Sequence, residues 1–62
     1  MLSITFNSER QMTKAKGILE NYGYEIEMIR KEYILNIKGI EQNIINTLLD
    51  YEIQFDIVEN QN

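Results

Sequence analysis

Residues 24–38 read YEIEMIRKEYILNIK, and their alternation decides the fold. Tyr24, Ile26 and Met28 alternate with Glu25 and Glu27; Leu35 and Ile37 alternate with Asn36 and Lys38. Between them Arg30-Lys31-Glu32 breaks the pattern. Alternation with period two marks half-buried strands, and two such runs around a short polar break mark a hairpin. With Lys31 and Glu32 as the loop, Arg30 faces Tyr33, Ile29 faces Ile34, Met28 faces Leu35, Glu27 faces Asn36, Ile26 faces Ile37 and Glu25 faces Lys38. That register sets apolar against apolar and adds one opposite-charge pair. Lys-Glu is poor chemistry for a two-residue turn, so a wider loop closed by Ile29 and Ile34 stays open as the alternative. One face of the hairpin, Tyr24, Ile26, Met28, Leu35 and Ile37, belongs to a core. The other carries Glu25, Glu27, Ile29, Ile34, Asn36 and Lys38 to solvent or to a partner.

Working outward, Leu2, Ile4 and Phe6 alternate with Ser3 and Thr5 as a first strand. Ser8 with Gln11 three residues on fits a capping box, and Glu9 suits the positive end of the helix dipole. Met12, Ala15, Leu19 and Tyr22 then recur at helical spacing. Gly23 stops that helix as a left-handed residue, with Tyr24 as its apolar follower. After Gly39, residues 40–51 read as a second helix with Ile44, Ile45, Leu48 and Leu49 as its stripe, and residues 53–58 alternate as a last strand. Strand, helix, strand, strand, helix, strand with right-handed crossovers predicts an α+β, ferredoxin-like βαββαβ fold. Its sheet is antiparallel, four-stranded and ordered 4-1-3-2, with two helices on one face. The predicted core is Leu2, Ile4, Phe6, Met12, Ala15, Leu19, Tyr22, Ile26, Met28, Leu35, Ile37, Ile44, Leu48, Ile53, Phe55 and Ile57. One domain over residues 1–59 and a frayed tail at 60–62 complete the expectation.

A 62-residue chain buries only about 60% of its unfolded surface, so stability has a thin margin. Without cysteine or histidine, neither disulfides nor a zinc finger can widen it, which leaves tidy packing or self-association. No apolar run approaches the roughly 18 residues of a membrane span, and residues 1–6 carry no basic signal-peptide region. The expectation is a cytoplasmic protein. Eleven isoleucines and seven asparagines beside one alanine hint at an AT-rich bacterial or mobile-element genome. The net charge of −4 is uneven, at +1 for residues 1–31 and −5 for residues 32–62.

The residue inventory narrows the chemistry. A serine–histidine–aspartate arrangement has no base, and no thiol nucleophile exists. Glu25 and Glu27 share a strand face, but an open sheet face gives no water-excluding pocket to part their acidities. The three glycines, Gly17, Gly23 and Gly39, lie far apart and make no phosphate loop. A net acidic chain lacks the basic patch of a duplex binder. RNA-recognition domains share this strand order, but the central strands here turn Ser3, Thr5, Ile34, Asn36 and Lys38 outward with no aromatic for base stacking. No cofactor and no metal are predicted, and catalysis is excluded.

The run from Ala15 to Glu27, AKGILENYGYEIE, resembles the first helix and second strand of ACT-type regulatory domains. The resemblance implies a platform that pairs edge to edge and binds amino acids at the turn from strand one to helix one. Here that turn is Asn7, Ser8, Glu9 and Arg10, where the family usually carries Pro-Gly after its Asn or Asp. Two functional expectations follow. The first is a non-catalytic module, such as a phage or mobile-element inhibitor or adaptor, that occupies another protein's surface through Glu25, Glu27, Ile29, Ile34, Asn36, Lys38, Asp50, Asp56 and Val58. The alternative is an ACT-like homodimer sensing an amino acid, with RNA binding ranked last. A homodimer through a sheet edge or through Ile29 and Ile34 is expected in either case.

Overall fold

The computed structural model describes residues 1–58; Glu59 and the expected tail at 60–62 lie outside the described residues. Strand β1 (Leu2–Thr5) leads to helix α1 (Glu9–Asn21) and strand β2 (Glu25–Ile29). A 3-10 turn (Arg30–Glu32) then connects to strand β3 (Ile34–Lys38), helix α2 (Glu41–Asp50) and strand β4 (Asp56–Ile57). The sheet is antiparallel with order β2-β3-β1-β4, the predicted order read from the other edge. This is the ferredoxin-like α+β arrangement.

The hairpin has the expected register from Glu25↔Lys38 to Ile29↔Ile34. Its loop is the wider one. Arg30 and Tyr33 do not pair across strands; Tyr33 N–H instead donates back to Arg30 O at 3.2 Å, and Tyr33 takes a left-handed φ of 55°. Four-residue hairpin loops are commonly built on such a turn, which Lys-Glu tolerates where a two-residue turn does not.

Side chains on one sheet face meet both helices in a single core of Leu2, Ile4, Phe6, Met12, Ala15, Leu19, Leu35, Ile37, Ile44, Leu48 and Ile53. Ile18, Tyr24, Ile26, Met28, Ile45 and Phe55 pack against it, half-buried. Two predicted core residues are corrected. Tyr22 is 58% exposed because it is the C-cap of α1, one residue past the end of the helix. Ile57 is 50% exposed although it sits opposite Ile4 and so faces the helix side. The predicted strand over 53–58 is shortened to Asp56–Ile57, and at that two-residue edge a core-facing side chain goes largely uncovered.

Both helices stop by the same device. At α1, Tyr24 N–H donates to Leu19 O at 3.2 Å and Gly23 N–H to Glu20 O at 3.0 Å. At α2, Ile53 N–H donates to Leu48 O and Glu52 N–H to Leu49 O, each at 3.0 Å. These are paired Schellman bonds, and each needs a left-handed residue after the cap. Gly23 supplies it at φ 90° and Glu52 at φ 57°. In each case the following residue, Tyr24 or Ile53, packs against the core.

Candidate functional site

The sheet face away from the helices is built in three cross-strand rows. Nearest the start of the hairpin, Glu25 lies opposite Lys38, with Lys38 Nζ 4.0 Å from Glu25 Oε2. Both side chains are largely exposed, so water screens the pair and it contributes little stability.

The middle row is hydrogen-bonded across three strands. Ser3 Oγ donates to Asn36 Oδ1 at 2.6 Å, and Asn36 Nδ2 donates to Glu27 Oε1 at 3.0 Å. The register makes Ser3, Asn36 and Glu27 neighbours, and Val58 joins the row where its N–H donates to Ser3 O at 2.9 Å. Asn36 is central because its amide is acceptor and donor at once. The row therefore fixes the Glu27 carboxylate on the surface while leaving its second oxygen free of hydrogen bonds within the described residues.

The third row is Ile29, Ile34, Thr5 and Asp56, aligned through the pairs Ile29↔Ile34, Thr5↔Ile34 and Thr5↔Asp56. Ile29, Ile34 and Val58 are half-buried and Asp56 is exposed. An open depression of about 270 Å³ at the Glu25 end of the face is lined by Met1, Glu25, Ile26, Glu27, Asn36 and Lys38. Four strands thus assemble Glu25, Glu27, Ile29, Ile34, Asn36, Lys38, Asp56 and Val58 on one surface. Its charged groups are three carboxylates and one ammonium.

Asp50 does not join them. It ends α2 in the helix layer, near the Tyr22 phenol. The helical count that set it opposite the apolar stripe did not say that the stripe's far side and the open sheet face look in different directions. The helix layer has its own cluster, unseen in the sequence, where the C-caps of the two helices meet. The Tyr22 and Tyr51 rings stand edge to face with centroids 6.4 Å apart and hydroxyls 3.3 Å apart. The Tyr51 hydroxyl holds the Tyr22 phenol above its ordinary 10.0, first by hydrogen bonding and then by opposing a second phenolate, with Asp50 adding to the repulsion.

The turn of Asn7, Ser8, Glu9 and Arg10 is engaged within the chain. Ser8 Oγ accepts Gln11 N–H at 3.2 Å as N-cap, and Glu9 Oε2 lies 2.8 Å from Arg30 Nη1. That ion pair ties the start of α1 to the hairpin loop, which Phe6 N–H also holds through Tyr33 O at 2.9 Å. Asn7 and Arg10 remain exposed. Gly17 lies on the outer side of α1, and a Cβ there would meet nothing within 4 Å. Among the described residues no three carboxylates converge as a metal site, and no helix is long and apolar enough to cross a membrane.

Comparison with family models, with curated proteins and with solved structures gave no match. The functional reading therefore stands on the geometry of this face.

Proposed function

We propose that this chain is a small non-catalytic binding module that docks another protein on the open face of its sheet. One observation carries the reading: a four-stranded face, uncovered among the described residues, that holds Glu25, Glu27 and Asp56 around half-buried Ile29, Ile34 and Val58. Charged groups set the register of a partner and speed its approach, and partly exposed aliphatic side chains give it apolar area. The Ser3–Asn36–Glu27 bonds support the reading, because a carboxylate held in place loses less side-chain entropy on binding. A basic, partly apolar surface is the complement. Inhibitors and adaptors of this kind work by occupying a surface, which needs no catalytic group. In the alternative turn Ser8 and Glu9 already have partners inside the chain, and the proposal gives that turn no ligand.

Reversing the charges with Glu25→Lys, Glu27→Lys and Asp56→Lys together tests it. The three residues are exposed, so thermal unfolding should stay close to that of the parent, within about 1 kcal/mol for surface changes. Affinity capture from the native host followed by mass spectrometry should lose the partner. An unchanged set of captured proteins from a folded triple variant would sink the reading.

A further inference from the structure

We infer that the outer edge of β2 accepts an extended segment of a partner chain in which basic and apolar residues alternate. The inference rests on the protein-binding reading above and names the chemistry of the segment bound.

Backbone directions come first. Phe6 N–H donates to Tyr33 O, and Val58 N–H donates to Ser3 O. In an antiparallel ladder, directly opposed residues alternate between bonded and non-bonded pairs. Carried through the registers, the backbone groups of Leu2, Ile4 and Phe6 serve β3, and those of Ser3 and Thr5 serve β4. On β3, Tyr33, Leu35 and Ile37 are spent on β1, which leaves Ile34, Asn36 and Lys38 to bond Ile29, Glu27 and Glu25 of β2. The N–H and C=O groups of Ile26 and Met28 then point away from the sheet. Two donors and two acceptors at alternate residues are what strand addition uses.

β2 is also the better of the two edges. It runs for five residues, Glu25-Ile26-Glu27-Met28-Ile29, while β4 has two. It contains no proline and no lysine, two of the devices that usually blunt an exposed edge.

Charge chooses the occupant. A strand laid on β2 sets side chains opposite Glu25 and Glu27 on the open face and opposite half-buried Ile26 and Met28 on the other. Glu27 falls at a non-bonded position between Ile26 and Met28, where facing side chains approach most closely. Lysine or arginine opposite the carboxylates and aliphatic residues opposite Ile26 and Met28 make the matching pattern. A second copy does not fit. The antiparallel register that matches all five residues of two β2 strands sets their Glu27 carboxylates face to face, and like charges directly opposed destabilise a pair.

The test uses the 62-residue chain and two capped peptides, Thr-Lys-Val-Lys-Val-Lys-Thr and its glutamate counterpart Thr-Glu-Val-Glu-Val-Glu-Thr. Amide hydrogen exchange is read by NMR. In the free protein the amides of Ile26 and Met28 should exchange faster than that of Glu27. The lysine peptide should slow both by at least about tenfold, as binding to the folded state protects what it covers. The glutamate peptide should not, and Glu25→Lys with Glu27→Lys should reverse the preference. Equal effects of the two peptides, or no added protection at millimolar lysine peptide, would overturn the proposal. If the triple-lysine variant loses its captured protein while the lysine peptide gives no protection, the edge geometry is overturned and the docking face stands. Peptide protection together with unchanged capture would support the edge and remove the docking face.

Discussion

The two βαβ halves of this molecule follow the same path with unequal local support. In the first, β1-α1-β2, the helix begins on a serine whose side chain caps it and ends on a glycine. In the second, β3-α2-β4, the helix begins on Ile40, which offers no side-chain cap, and ends on Glu52 in the left-handed region. The closing strand is five residues long in the first half and two in the second. The same hydrogen bonds terminate both helices, so in the second half core packing of Leu48 and Ile53 enforces a geometry that local sequence opposes. Local signals and tertiary packing substitute for one another, and the weaker half shows how far packing can go.

The comparison can be broken first at Gly39, which joins β3 to α2 within the second half. Gly39 has φ 147°, and a Cβ there would stand 2.7 Å from Tyr24 Cε1 and 2.9 Å from Cδ1. Tyr24 is the core-facing residue that follows the first helix, so this close approach is one of the contacts between the halves. Gly39→Ala should cost about 2 kcal/mol or more, as strained backbone and overpacking add. A lowered urea midpoint with a nearly unchanged slope is the expected result.

The next two substitutions give the second half what the first already has. Ile40→Asn supplies the missing N-cap at a residue that is 67% exposed and loses little by the change. It should raise stability by about 1 kcal/mol. Glu52→Gly removes a left-handed non-glycine residue and should also gain about 1 kcal/mol, the αL penalty less the added chain entropy of glycine. Urea unfolding measures both, and because they lie at opposite ends of α2 their effects should add. The smallest effect concerns the point where the two helix ends meet. Tyr51→Phe should lower the Tyr22 midpoint toward 10.0, followed by tyrosinate absorbance. The raised value favours the neutral phenol of the folded state, so its stabilising effect is present below the ordinary value and is lost as pH rises through the raised one.

The same inequality explains what the sequence made legible. The first helix was readable from Ser8 to Gly23 because capping box, stripe and stop signal agreed. The hairpin register was readable because apolar pairs and Glu25↔Lys38 all fell in one alignment, and that alignment set most of the residues on the open sheet face. The two-residue β4 and the exposure of Ile57 were not, since alternation reports parity and says nothing of which parity positions a helix covers. The stop of α2 was readable in principle. Leu48 and Ile53 repeat the spacing of Leu19 and Tyr24, but without a glycine between them the match is easy to miss. Asn36 as the link between Ser3 and Glu27 depends on β1 beside β3, a contact 33 residues apart that no local pattern encodes.

That long-range placement of β1 governs assembly during synthesis. Both strands that flank it, β3 and β4, lie downstream, so β1 leaves the ribosome before either neighbour does. At about 5–20 residues per second, Leu2, Ile4 and Phe6 wait on the order of seconds for the hairpin to emerge. Throughout that interval the nascent chain displays three large apolar side chains on an unpaired strand, the kind of segment that holdase chaperones bind.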